Sequence, residues 1–96
     1  MESTIWLACK AVQGLLLDEV AVLVSTADGR RLSLFVAKDR VRFLKGNAPQ
    51  SDLEVDAQIP VQLIDRNQSF GLVTLPAEPI EGSRVAKVSA ALLATQ

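Results

Sequence analysis

Val20-Ala-Val-Leu-Val-Ser-Thr26, Ala27-Asp28-Gly29 and Arg30-Arg-Leu-Ser-Leu-Phe-Val36 form the stretch that decides the fold class. Two runs rich in apolar and β-branched residues flank an Asp-Gly step, the short-range signature of a β-hairpin. Two registers are open. Asp28-Gly29 can form a two-residue type I′ turn, or Ala27-Asp28-Gly29 a type I turn closed by a glycine bulge. The bulged register is preferred because it sets Val20, Val22 and Val24 opposite Val36, Leu34 and Leu32 on one face. Ser25, Arg31 and Ser33 then share the other face, whereas the type I′ register mixes the two.

Downstream, Lys38-Asp-Arg-Val-Arg-Phe-Leu44 and Ser51-Asp-Leu-Glu-Val-Asp-Ala57 flank a Gly46–Gln50 stretch of turn formers and predict a second hairpin. One antiparallel register sets Arg42 opposite Asp52, Arg40 opposite Glu54 and Lys38 opposite Asp56, three opposite-sign pairs on one face. A third unit runs Ile59-Pro-Val-Gln-Leu-Ile64, a polar turn Asp65–Ser69, then Phe70-Gly-Leu-Val-Thr-Leu75. Pro60 lacks a backbone donor, which predicts an edge strand or a strand start, and Gly71 predicts a bulge or a close backbone approach. Pro76–Ser83 reads as an irregular connector, Arg84–Ser89 as a last strand, and Ala90–Thr95 as a closing helical turn or a frayed tail.

Upstream, Ile5, Ala8, Cys9, Val12, Leu15 and Leu16 match a helical stripe, while Ile5, Leu7, Cys9 and Ala11 match alternation. Trp6, the β-branched Thr4, Ile5 and Val12, and Gly14 tilt residues 3–13 toward a strand. The whole chain, 1–96, is expected to be one mainly β domain: a small antiparallel barrel or sandwich of six to seven short strands, with at most a helical turn near its end.

Composition bounds the function. The chain has no His and no Tyr, which removes the commonest general base, the commonest transition-metal ligand and the Ser-His-Asp and Cys-His arrangements. No enzyme activity, cofactor or metal is expected. Asp52-Leu-Glu-Val-Asp56 has the alternating oxygens of a calcium loop, but Ala57 stands where the loop needs Gly and Leu63 where it needs Glu, so a solvated strand face is the better account. The glycines stand apart and form no phosphate loop. The single Cys, Cys9, sits among Leu7, Ala8 and Ala11 and reads as a buried, inert core residue. One thiol builds no internal disulfide, Met1-Glu2-Ser3-Thr4 carries no basic leader, and no apolar run approaches the roughly 20 residues that span a bilayer, so the expected address is cytoplasmic and off the membrane.

Two function classes lead, ahead of a third and weakest one, an enzyme or small-ligand pocket using Asp and Glu. A hydrophobic fraction of 49% is more apolar surface than one thin core easily uses, which points to a protein partner, in the simplest case a homo-dimer. Trp6 suits an interface anchor or a core position. The alternative is a single-stranded nucleic-acid-binding barrel using the basic stretch 30–45, where Arg30, Arg31, Lys38, Arg40, Arg42 and Lys45 are six of the ten Lys and Arg residues. Lys38, Arg40 and Arg42 along one strand face would repeat at roughly 6–7 Å, close to a phosphate ladder, with Phe35 and Phe43 as stacking faces. The cross-strand acids of the second hairpin would cancel that field, and a net charge of -1 supplies no global attraction, so protein association leads.

Overall fold

The computed structural model describes residues 4–95; Met1, Glu2, Ser3 and Gln96 lie outside the described residues, and with them the start of the first expected strand. Eight strands follow one another: β1 Ile5–Gln13, β2 Glu19–Ser25, β3 Arg31–Ala37, β4 Arg42–Phe43, β5 Val55–Arg66, β6 Phe70–Thr74, β7 Val85–Ser89 and β8 Leu93–Thr95. All pairings are antiparallel. The sheet order is β3-β2-β1-β5-β6-β7, with β4 added to β5 and β8 to β1, and the sheet curls into a half-barrel. Among the described residues, helical structure is confined to two 3-10 turns, Lys38–Arg40 and Ala90–Leu92.

The β2–β3 hairpin adopts the bulged register, with Val20 opposite Val36, Val22 opposite Leu34, Val24 opposite Leu32 and Ser25 opposite Arg31. Gly29 has φ +87°, a conformation that glycine adopts without steric cost. Its N–H donates to Thr26 O at 3.1 Å, and the Thr26 N–H donates to Arg30 O at 2.8 Å. All six valines and leucines named above are buried.

The first segment is a strand. Leu7, Cys9 and Ala11 point inward, while Trp6, Ala8, Lys10 and Val12 point outward. Tertiary pairing settles what periodicity left open: β1 bonds β5 along Ile5–Ala11, β2 along Lys10–Gln13 and β8 along Ile5–Leu7. The last partner is an addition to the expected fold. Ala90–Leu92 is the expected closing turn, capped by Ser89, whose hydroxyl accepts from the Ala91 N–H. The chain after it is neither helical nor frayed, because Leu93 is buried and brings β8 alongside β1.

The second hairpin is a correction. Lys38–Arg40 forms a 3-10 turn, so only Arg42 and Phe43 pair with β5, opposite Gln58 and Ala57. This register lies six residues away from the one that would set Arg42 against Asp52, and none of the three expected charge pairs is formed. Burial decides it: Val41 enters the core and Phe43 packs against it, while Leu53 stays exposed. Core packing outweighs exposed pairs contributing roughly 0.2–1 kcal/mol each.

Pro60 also departs from expectation, standing in the middle of the twelve-residue β5. Asp56 accepts from the Leu44 N–H through its carbonyl, so the even-numbered residues of β5 that precede its bulge at Leu63/Asp65 turn their backbone groups toward the side of β4 and β6. β4 ends its pairing at Gln58 and β6 begins at Gln62. Pro60, between them, meets a gap where no donor is required. Gly71 marks a close approach, since a Cβ there would run into Leu93 Cδ1; the bulge lies across from it in β5, between Leu63 and Asp65.

Pro76–Ser83 is irregular as expected, and it closes the seam between β3 and β7. The Ile80 N–H donates to Ser33 O at 2.8 Å, and the Ser33 N–H and hydroxyl both donate to the Glu81 carboxylate, at 2.6 and 2.8 Å. The Ala27 N–H donates to Lys87 O at 2.8 Å, tying the β2–β3 turn to β7. Gly14 is needed at the end of β1 because a Cβ there would stand 2.6 Å from the Glu19 carbonyl oxygen, a backbone atom with little freedom to retreat. Gly14→Ala is therefore expected to cost about 1–3 kcal/mol in urea unfolding. Gly82→Ala, whose Cβ would meet nothing within 4 Å, should stay within about 0.5 kcal/mol of wild type.

Candidate functional site

The six cations singled out from the sequence are dispersed by the fold. Arg30 follows the β2–β3 turn, its Nε 3.4 Å from Asp28 Oδ2. Arg31 projects from the outer face of β3, where Nη2 donates to Glu54 Oε1 at 2.6 Å. Lys38 and Arg40 lie in the 3-10 turn beyond the far end of β3, and Lys45 lies in the connector after β4. Arg42 sits on the outer face of β4, its guanidinium 4.1 Å from the Trp6 ring centre and its Nη1 3.5 Å from Gln58 Oε1. The 3-10 turn breaks the alternation that would have made Lys38, Arg40 and Arg42 a ladder. Of the two expected stacking faces, Phe43 packs against the core and Phe35 is half-buried on the outer sheet face.

Two of the three acids expected opposite those cations, Glu54 and Asp56, have other partners. Lys10 and Asp56 stand directly across from one another in the β1–β5 register and form an ion pair, while Glu54 is held by Arg31. The hydrogen bond and charge of Lys10 hold the Asp56 carboxyl below its ordinary range, and Asp56 in turn raises Lys10. Arg31 lowers Glu54 in the same way. These four charges lie on the outer sheet face above Ala8, Val12 and Leu23, and sequence reading missed them because no local spacing links residue 10 to residue 56. Glu54 and Asp56 thus serve as ion-pair partners. Among the described residues, no group of three or more His, Cys, Asp or Glu is placed to hold a metal ion.

Trp6 does not take the core position, one of its two expected places. It lies half-buried on the outer face beneath Arg42, and its Nε1 is enclosed without a hydrogen-bond partner among the described residues. The interior is equally bare of reactive groups: no polar or charged side chain is buried among the described residues. Cys9 points inward, packs against the core, and its thiol is pushed up to about 12 by burial. No helix among them is long and apolar enough to cross a membrane.

The least ordinary surface is the end of the half-barrel where β1 meets β2 and β4 leads into β5. Leu15, Leu16 and Leu17 occupy the β1–β2 loop at 84%, 63% and 91% exposure. Leu53 is 78% exposed and Leu44 55%. The Gln13 N–H donates to Ser51 O, and the Leu44 N–H donates to Asp56 O, so both connectors leave from this same end. Asp18, Asp39, Asp52 and Lys45 are exposed around it, with Lys38 tied in through its N–H to Asp18 O. The Leu15-Leu16-Leu17 run was the signal available in the sequence; its exposure was not legible, because a tri-leucine run is ordinarily a core segment.

Compared with protein-family models, with curated proteins and with solved structures, the chain finds no match in any of the three.

Asp56 and Glu54 have lowered folded-state values, so their contribution to stability is present above the ordinary carboxylate range, near pH 4, and is lost as the pH falls through the folded values. Asp56→Asn should lower the melting temperature slightly at neutral pH, and the gap to wild type should close in melts run below about pH 4. The raised Lys10 has the opposite sign, its contribution fading only as pH rises past its folded value. Native Cys9 should resist a thiol reagent at pH near 8 and react once the chain is unfolded, a contrast that a colorimetric thiol assay in and out of denaturant would read.

Proposed function

We propose that this chain is a non-catalytic β module that acts by protein association, and that its contact surface is the leucine-bearing end of the half-barrel. The supporting observation is the joint exposure of Leu15, Leu16, Leu17, Leu44 and Leu53 at one end of the half-barrel; Leu63, Ile64, Phe70, Ile80 and Val85 are also exposed, but they are spread over β5, β6, the connector and β7, and most are less exposed than these five. Single exposed apolar residues are ordinary, but five leucines issuing from two adjacent connectors make a patch of the kind that marks interaction sites. The occupant is a second copy of the chain. The rim carries both signs, Asp18, Asp39 and Asp52 with Lys38 and Lys45, so a copy related by a two-fold axis can bring each lysine against an acid of the other copy. The absence of His and Tyr from the sequence and the core-facing Cys9 support the non-catalytic part of the reading. Dispersal of Arg30, Arg31, Lys38, Arg40, Arg42 and Lys45 over both ends and the outer face, with Arg31 held by Glu54, leaves the nucleic-acid reading with less support.

Light scattering coupled to size exclusion tests this. Wild type is expected to run as a dimer, and Leu15→Ser/Leu16→Ser/Leu17→Ser as a monomer with its melting temperature nearly unchanged, since these side chains leave no core contacts behind. A wild-type monomer at high concentration, or a dimer that survives the triple substitution, overturns the reading.

A further inference from the structure

A hollow of about 220 Å³ opens beside β5, at the gap between β4 and β6, and Arg40 and Arg84 both line it. Gln62 and Thr74 add polar side chains, and Val61 and Leu75 supply buried apolar walls. The gap is a consequence of the sheet: β4 ends its pairing with β5 at Gln58, β6 begins at Gln62, and Pro60 needs no partner between them. Arg84 is oriented before any ligand arrives, because its Nε and Nη2 each donate to a carbonyl, of Leu75 and of Pro76, both at 3.3 Å. Two of its five N–H donors are used in this way, and three remain. Arg40 has no ion-pair partner among the described residues.

Charge separates this hollow from others on the surface. The hollow between the β2–β3 turn and β7 sets Asp28 beside Arg30, the one at the β5–β6 turn sets Asp65 beside Arg66, and the one along the β4–β5 connector sets Asp56 beside Lys45. No carboxylate lines the Arg40–Arg84 hollow. Two guanidinium forks, a hydroxyl and an amide facing one small space with no acid to neutralise them match a compact oxyanion of charge two or more. The volume is below the roughly 300–1,000 Å³ of pockets for drug-sized ligands, which limits the occupant to one small molecule.

We infer that the Arg40–Arg84 hollow is a binding site for a small oxyanion, a phosphoryl compound or a dicarboxylate, gripped from both sides by the two guanidinium groups. The inference goes beyond the association reading and uses none of the five exposed leucines, so either can fail alone. The full chain is titrated with inorganic pyrophosphate and, separately, with succinate, by calorimetry at ionic strength matched with potassium chloride. Saturable one-to-one binding of either probe is expected, the tighter one naming the ligand class. Arg40→Gln, an exposed change outside every strand, should weaken it at least about tenfold, the loss typical of one charge-assisted contact. Arg84→Gln should do the same at some cost in stability, and Lys45→Gln should leave it unchanged. Heat no larger than that of potassium chloride alone, or binding that survives Arg40→Gln, or binding that falls equally with Lys45→Gln, would overturn the inference.

Discussion

The sheet depends on one pairing, that of Ile5–Ala11 in β1 with Val55–Val61 in β5. It joins the β2–β3 hairpin on one side to the β6–β7 hairpin on the other, and each of its strands carries a second, divided flank. β1 meets β2 along one half and β8 along the other; β5 meets β4, then a gap, then β6. Leu7, Ala11, Ala57 and Ile59 on its inner face are almost wholly buried, so the pairing is also the centre of the core. A one-residue slip would turn the slipped strand's pair, Leu7 and Ala11 or Ala57 and Ile59, to solvent, which is why this register tolerates no alternative.

Curling follows from that arrangement, because an open sheet would leave β3 and β7 as two wet edges. The chain protects both with its own irregular connector and turn. Ser33 on β3 is capped by Ile80 and Glu81, and Lys87 on β7 by Ala27. With both edges engaged in this way, strand addition is disfavoured, and the association proposed above relies instead on side chains at the leucine-bearing end.

Charge placement follows the same logic. Exposed ion pairs contribute little stability individually, so the fold does not preserve the cross-strand pairs that local sequence offers when burial of Val41 and Phe43 requires another register. The cations freed by that choice are reassigned. Arg42 covers Trp6 on the outer face, and Arg40 turns to the gap that Pro60 keeps open. Asp56 and Glu54 are recruited by Lys10 and Arg31, residues distant in sequence but set on the same outer face by β1 and β3.

The β2–β3 hairpin was legible to the residue because its determinants are local: a glycine at positive φ and two apolar alternations that agree in only one register. The mainly β class, the irregular connector and the tightness at Gly71 were legible for similar reasons. The strand state of β1 could be favoured from its side chains but was decided by its three partners. Tertiary structure alone determined the register of β4 on β5, the place of Pro60 in mid-strand, the addition of β8, and the meeting of Arg40 with Arg84 across a sheet gap. The physical reason is the same in each case. Local sequence ranks turns and alternations by fractions of a kcal/mol, whereas burial of whole side chains such as Val41 and Leu93, worth roughly 1.5–3 kcal/mol each, chooses among strand partners that local sequence cannot see.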